Sequence, residues 1–180
     1  MTDLQKRYEI LSSLPAYGPM YIPVSENGEP YYSEVFPVRF YKSDGTNWVA
    51  NFKPGWTELG EIFELKDSSN LLVIAHGECY IMSPEATRPI SAFGGAYGTA
   101  FTTQDGKIIL RDDTGLTVIE TTGKYWHSDR ISWDGLKVVA VQGNLVTGLA
   151  FDPMHDSDEW VKFSYNINTK YCPVGAIELM

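Results

Sequence analysis

The sequence predicts an all-β fold: four antiparallel hairpin repeats of roughly 40 residues in a propeller-like ring, with a short N-terminal helix. Three observations predict it. Gly/Asp turns separate short β-branched runs along most of the chain. Glycines that open such runs, Gly18, Gly60, Gly98, Gly135 and Gly175, recur 37 to 42 residues apart. The intervals between them share the same order of runs and turns, which is how propeller blades read in sequence. A plain antiparallel sandwich or barrel gives similar turn signals and is the alternative.

The clearest unit runs from Gly98 to Glu120. A short run to Phe101 meets a turn at Gln104-Asp105-Gly106-Lys107, then Ile108-Ile109-Leu110, a turn at Asp112-Asp113-Thr114-Gly115, and Leu116 to Glu120. Glycine supplies the positive φ that such hairpin turns need, and aspartate bonds its own backbone there.

The other elements follow in chain order. Thr2-Asp3-Leu4-Gln5 has the form of a capping box, and Leu4, Tyr8 and Leu11 recur at helical spacing, so a helix is expected over 1–16, ending at Pro15. The first repeat, about 18–59, holds runs at 20–24, 31–41 and 48–52. The second, 60–97, has runs at 62–65, 71–75 and 79–82. The third is 98–134. The fourth, 135–174, has Leu136 to Val141, Leu145 to Phe151, an acidic loop, and Trp160 to Ile167. A last strand at 174–179 would close the ring against the first unit, because an open repeat array leaves an edge competent to pair. The 180 residues fit one domain.

Composition narrows the function. A net charge of −9 and a pI near 4.7 argue against nucleic acid or an anionic membrane as the main partner. Cys79 and Cys172 are too few for a disulfide scaffold and too far apart for a metal knuckle. The chain shows no apolar leader and no run long enough to span a membrane, so a cytoplasmic protein is expected.

Between Asp129 and Lys170 the chain resembles the C-terminal part of small uncharacterised bacterial proteins. The matching positions are Trp133, Asp134, Gly135, Gly143, Asn144, Gly148, Asp152, Pro153, Trp160 and Phe163. The resemblance covers about a quarter of the chain, implies a bacterial source, and carries no activity or catalytic residues. Trp133-Asp134 also has the letters that end WD-type blades, but no other unit repeats them.

No nucleophile elbow, phosphate-binding loop or dinucleotide fingerprint is present, and no catalytic residue, metal ligand or cofactor is assigned. Asp113-Thr114-Gly115 has the letters of an aspartic-protease site, but that chemistry needs a second such aspartate, and a β-turn needs the same residues. His76, His127 and His155 have no ligand spacing and read as turn or surface residues. Trp56, Trp126 and Trp160 sit near loop ends, where they would either stack on sugars or wedge sheets together; Trp133 is expected in the core.

The acidic turns are the remaining signal. Turns joining the second and third strands of each unit hold Asp44, then Glu78, then Asp112 and Asp113, then Asp152, Asp156, Asp158 and Glu159. If the units are equivalent, these turns emerge together. Asp112, Asp113, Asp152, Asp156, Asp158 and Glu159 are therefore the expected binding residues of a non-enzymatic module that takes a basic protein partner. Turn geometry alone also accounts for these aspartates. A glycosidase-like enzyme or a sugar-binding lectin is the alternative, since carboxylates and aromatics are abundant.

Overall fold

The computed structural model describes residues 6–152 and 159–174, all of it strand, turn and loop. The chain divides into two compact units, 1–96 and 97–180.

Unit 1 contains two sheets. The first comprises β1 (Tyr8–Ile10), β2 (Ile22–Val24), β3 (Phe36–Tyr41) and β4 (Asn47–Phe52), in the order β1-β3-β4-β2. Its pairs are antiparallel except β2, which runs parallel to β4. The second comprises β5 (Glu61–Glu64), β6 (Leu71–Ala75), β7 (Glu78–Met82) and β8 (Ser91–Gly94), paired in chain order. Phe36, Val38, Phe40, Trp48, Ala50 and Phe52 of the first sheet share one core with Leu71, Val73, Ala75, Tyr80 and Met82 of the second. The alternating residues Leu72, Ile74, Cys79 and Ile81 are buried as well. Central strands buried on both faces read as continuous apolar runs, which is why β6 is Leu-Leu-Val-Ile-Ala.

Unit 2 also contains two sheets, each a meander in chain order. One is β9 (Thr99–Thr102), β10 (Ile108–Arg111), β11 (Leu116–Ile119) and β12 (Tyr125–His127). The other is β13 (Leu136–Gln142), β14 (Leu145–Asp152), β15 (Glu159–Asn166) and β16 (Tyr171–Val174). Ile109, Leu116 and Val118 pack with Ile131, Leu136, Val146, Phe163 and Tyr165 in its core. Among the described residues each of the four sheets has four strands, and none of them closes into a barrel.

The helix expected over 1–16 is not found: Tyr8–Ile10 is a strand, and Thr2–Gln5 lie outside the described residues. The edge of β3 decides the matter. Leu11 N donates to Pro37 O, Tyr41 N donates to Arg7 O, and Tyr8, Glu9 and Ile10 pair with Phe40, Arg39 and Val38. A short helix is marginal in water, whereas an unpaired edge beside a filled core offers the same residues a ladder. Glu9 adds cross-strand partners, accepting from Tyr41 Oη at 2.9 Å and lying 3.7 Å from Arg39. The expected closing strand over 174–179 lies outside the described residues apart from Val174, which ends β16 within its own sheet.

Candidate functional site

The site is built from one end of unit 2, where three loops meet. The turn 112–115 between β10 and β11 is closed by Asp112, whose Oδ1 accepts from Thr114 N (2.7 Å), Thr114 Oγ1 (2.9 Å) and Gly115 N (2.8 Å). Gly135 N donates to Asp113 O at 2.9 Å, and Phe151 N donates to Gly135 O at 2.9 Å. These bonds tie the turn to the start of β13 and the end of β14. Buried Ser132 completes the junction by accepting from Phe151 N at 3.1 Å. Ser128 Oγ accepts from Leu116 N at 3.0 Å and donates to Asp129 O at 2.8 Å, which brings the loop after β12 to the same place.

Acidic side chains collect there. Asp113, Asp129 and Asp134 are exposed and Asp112 is half-buried. The strand positions of Asp152 and Glu159, directly paired, adjoin the junction; Asp156 and Asp158 lie outside the described residues. The cations at this end are engaged with their own neighbours. Arg111 donates to Leu136 O (2.7 Å) and Thr99 Oγ1 (3.0 Å) and lies 3.6 Å from Asp113. Arg130 donates to Ser132 O and Trp133 O and lies over the Trp133 ring, while Lys137 Nζ sits 3.9 Å over Trp160. The other end of the unit is mixed: Lys107 pairs with Asp105 and Glu120, and Lys170 lies over Trp126. Acidic residues thus outnumber cations at this end of unit 2, its acidic pole, by four to three before the positions of Asp152 and Glu159 are added.

A groove of about 400 Å³ opens at this pole, lined by Asp112, Thr114, Thr117, His127, Ser128 and Arg130. Buried Thr117 Oγ1 lies 2.7 Å from His127 Nδ1 and 2.7 Å from the buried Tyr97 hydroxyl, so the rim histidine is held by a hydroxyl chain. Sequence reasoning missed Asp129, Asp134 and this chain. The first two fall in loops outside the hairpin turns, and the third joins residues 20 and 10 positions apart, which no local pattern displays.

The expected equivalence of turns fails inside unit 1. Ser43 N donates to Glu85 Oε1 (2.7 Å) and Trp48 Nε1 to Pro84 O (2.8 Å), placing the Asp44 turn beside the connection from β7 to β8. Glu78 opens β7 at its opposite end.

Trp133 is half-buried rather than core, and its Nε1 is buried without a hydrogen-bond partner among the described residues. His76 does occupy a turn, at φ 49° before Gly77 at φ 90°, the backbone of a two-residue hairpin loop. His155 lies outside the described residues. Among the described residues no group of three or more His, Cys, Asp or Glu stands close enough to hold a metal ion, and no helix is long and apolar enough to cross a membrane. What the fold and this pole define is an all-β chain with an acidic, groove-bearing loop surface. Compared with known proteins, the chain matches no protein-family model and no curated protein sequence.

Proposed function

We propose that this protein is a non-enzymatic binding module that presents the acidic pole of unit 2 to a basic protein partner. The observation that carries the reading is the sorting of charge within that unit. Asp112, Asp113, Asp129 and Asp134 converge on one end, and Arg111, Arg130 and Lys137 beside them are tied to backbone carbonyls or aromatic rings. Such a pole steers a cationic surface toward it, and steering weakens as added salt shortens the Debye length from about 10 Å at 0.1 M. The bound partner would bring lysine or arginine to the exposed carboxylates of Asp113, Asp129 and Asp134. The accompanying picture of four blade-like repeats in a propeller-like ring is supported by the three sheets paired in chain order; the first sheet departs from it.

The test is charge reversal where the fold does not depend on the side chain. A variant with Asp113→Lys, Asp129→Lys and Asp134→Lys is titrated with decalysine by calorimetry at low and high salt. The wild type is expected to bind at low salt and to weaken steeply with salt, and the variant to lose that binding. Equal binding by both proteins would overturn the reading.

A further inference from the structure

The tryptophans of this chain are nearly all answered from within. Trp48 is buried against Phe40 and donates to Pro84 O. Trp126, Trp133 and Trp160 each carry a cation over the ring: Lys170 at 4.5 Å, Arg130 at 5.1 Å and Lys137 at 3.9 Å. Trp56, in unit 1, is 91% exposed, and among the described residues no cation stands over it.

That exposure is not looseness. Gly55 N donates to Ala75 O (3.0 Å), Trp56 N to Gly95 O (2.7 Å) and Thr57 N to His76 O (2.9 Å), which clamps the segment to the ends of β6 and β8. Gly55 has no room for a side chain, since a Cβ there would stand 2.3 Å from Gly95 O and 2.7 Å from His76 O. The indole is thus displayed on a fixed backbone, which lowers the entropy lost when something stacks on it. Beside it lies a carboxylate. Glu78 Oε2 and Trp56 Cδ1 stand 3.1 Å and 3.7 Å from the point a Cβ on Gly95 would occupy. Glu78 is half-buried, and the charges of Glu26 and, more weakly and in the opposite sense, Lys53 act on it as well.

We propose that Trp56 and Glu78 form a receptor for a single basic side chain, a lysine ammonium or arginine guanidinium of a partner protein, seated on the indole face with the carboxylate at its flank. A cation over a tryptophan face is attracted by the ring quadrupole, and Glu78 adds an opposite charge at the edge of the same ring. The chain already makes this pairing internally at three other tryptophans. A sugar face also stacks on indole, but it carries no charge to answer Glu78 and Glu26. The receptor lies wholly in unit 1 and does not rest on the acidic pole of unit 2.

The indole N–H signal of Trp56, assigned with Trp56→Phe, reports occupancy in the full chain. It is followed by proton–nitrogen NMR during titration with trilysine amide and, separately, with maltotetraose. Trilysine is expected to move the signal, with salt weakening the effect. Glu78→Gln should raise the apparent Kd about two- to fivefold. Both substitutions leave the core untouched, so each variant should fold and melt at or above the wild-type temperature. Reversal of Asp113, Asp129 and Asp134 should leave this titration unchanged, so the two readings fail separately. A signal that trilysine does not move, a Glu78→Gln variant that titrates like wild type, or a response to maltotetraose alone would overturn the proposal.

Discussion

Asp112 and Asp113 are adjacent and do different work. Asp112 spends Oδ1 on three hydrogen bonds that close its own turn, whereas the Asp113 side chain is 74% exposed and lies 3.6 Å from Arg111. Asp112→Ala is expected to cost about 1 kcal/mol of stability in urea denaturation, and Asp113→Ala close to none. Trp133→Phe removes a buried N–H that has no partner among the described residues and keeps a ring beside Arg130, so its melting temperature should equal or exceed that of wild type. A clear drop would mean that the lost ring area and Arg130 stacking outweigh the unsatisfied N–H. Burial, and then the charge of Glu26, hold the Glu78 carboxyl above its ordinary range. The folded chain therefore keeps that proton to higher pH than the unfolded chain does, and stability is lost as pH rises from the unfolded value through the folded one. Glu78→Gln should remove this loss, so urea denaturation should show the variant gaining on wild type as pH rises above the ordinary carboxyl range. Turn chemistry was legible at this scale, because Asp and Gly act on their own backbone. The place of Trp133 was not, since the dipeptide Trp133-Asp134 is silent about the Arg130 guanidinium that stacks on it.

At the scale of elements, the hairpins were readable wherever Gly/Asp turns bounded β-branched runs, as in β6 with β7 and β10 with β11. β1 was misread because Tyr8 and Leu11 satisfy a helical period, while the partner that makes them a strand, β3, lies some thirty residues away. The same distance hides the parallel pairing of β2 with β4. Close backbone approach is likewise invisible in the sequence. A Cβ on Gly148 of β14 would stand 2.0 Å from Lys137 O in the paired β13 and 2.7 Å from the Phe163 ring. Gly148→Ala should therefore cost at least about 3 kcal/mol, enough to unfold much of a marginally stable domain. Gly143→Ala, where nothing lies within 4 Å but φ is +58°, should cost only about 1 kcal/mol. Comparable melting temperatures for the two variants would contradict the steric account of Gly148.

For the whole molecule, each unit has its own core of two packed sheets, and within unit 2 the charge is spread unevenly. An acidic composition was plain from the sequence, but its sorting into a pole depends on the bonds from Gly135 to Asp113 and from Phe151 to Gly135. The most direct test of that pole is a map of backbone amide shifts while decalysine is added at low salt. Within unit 2, the shifts should concentrate at 112–115 and 128–135 and fade as salt rises. Shifts centred on the opposite turns, 104–107, 120–124 and 167–170, or spread evenly over the unit, would contradict the account.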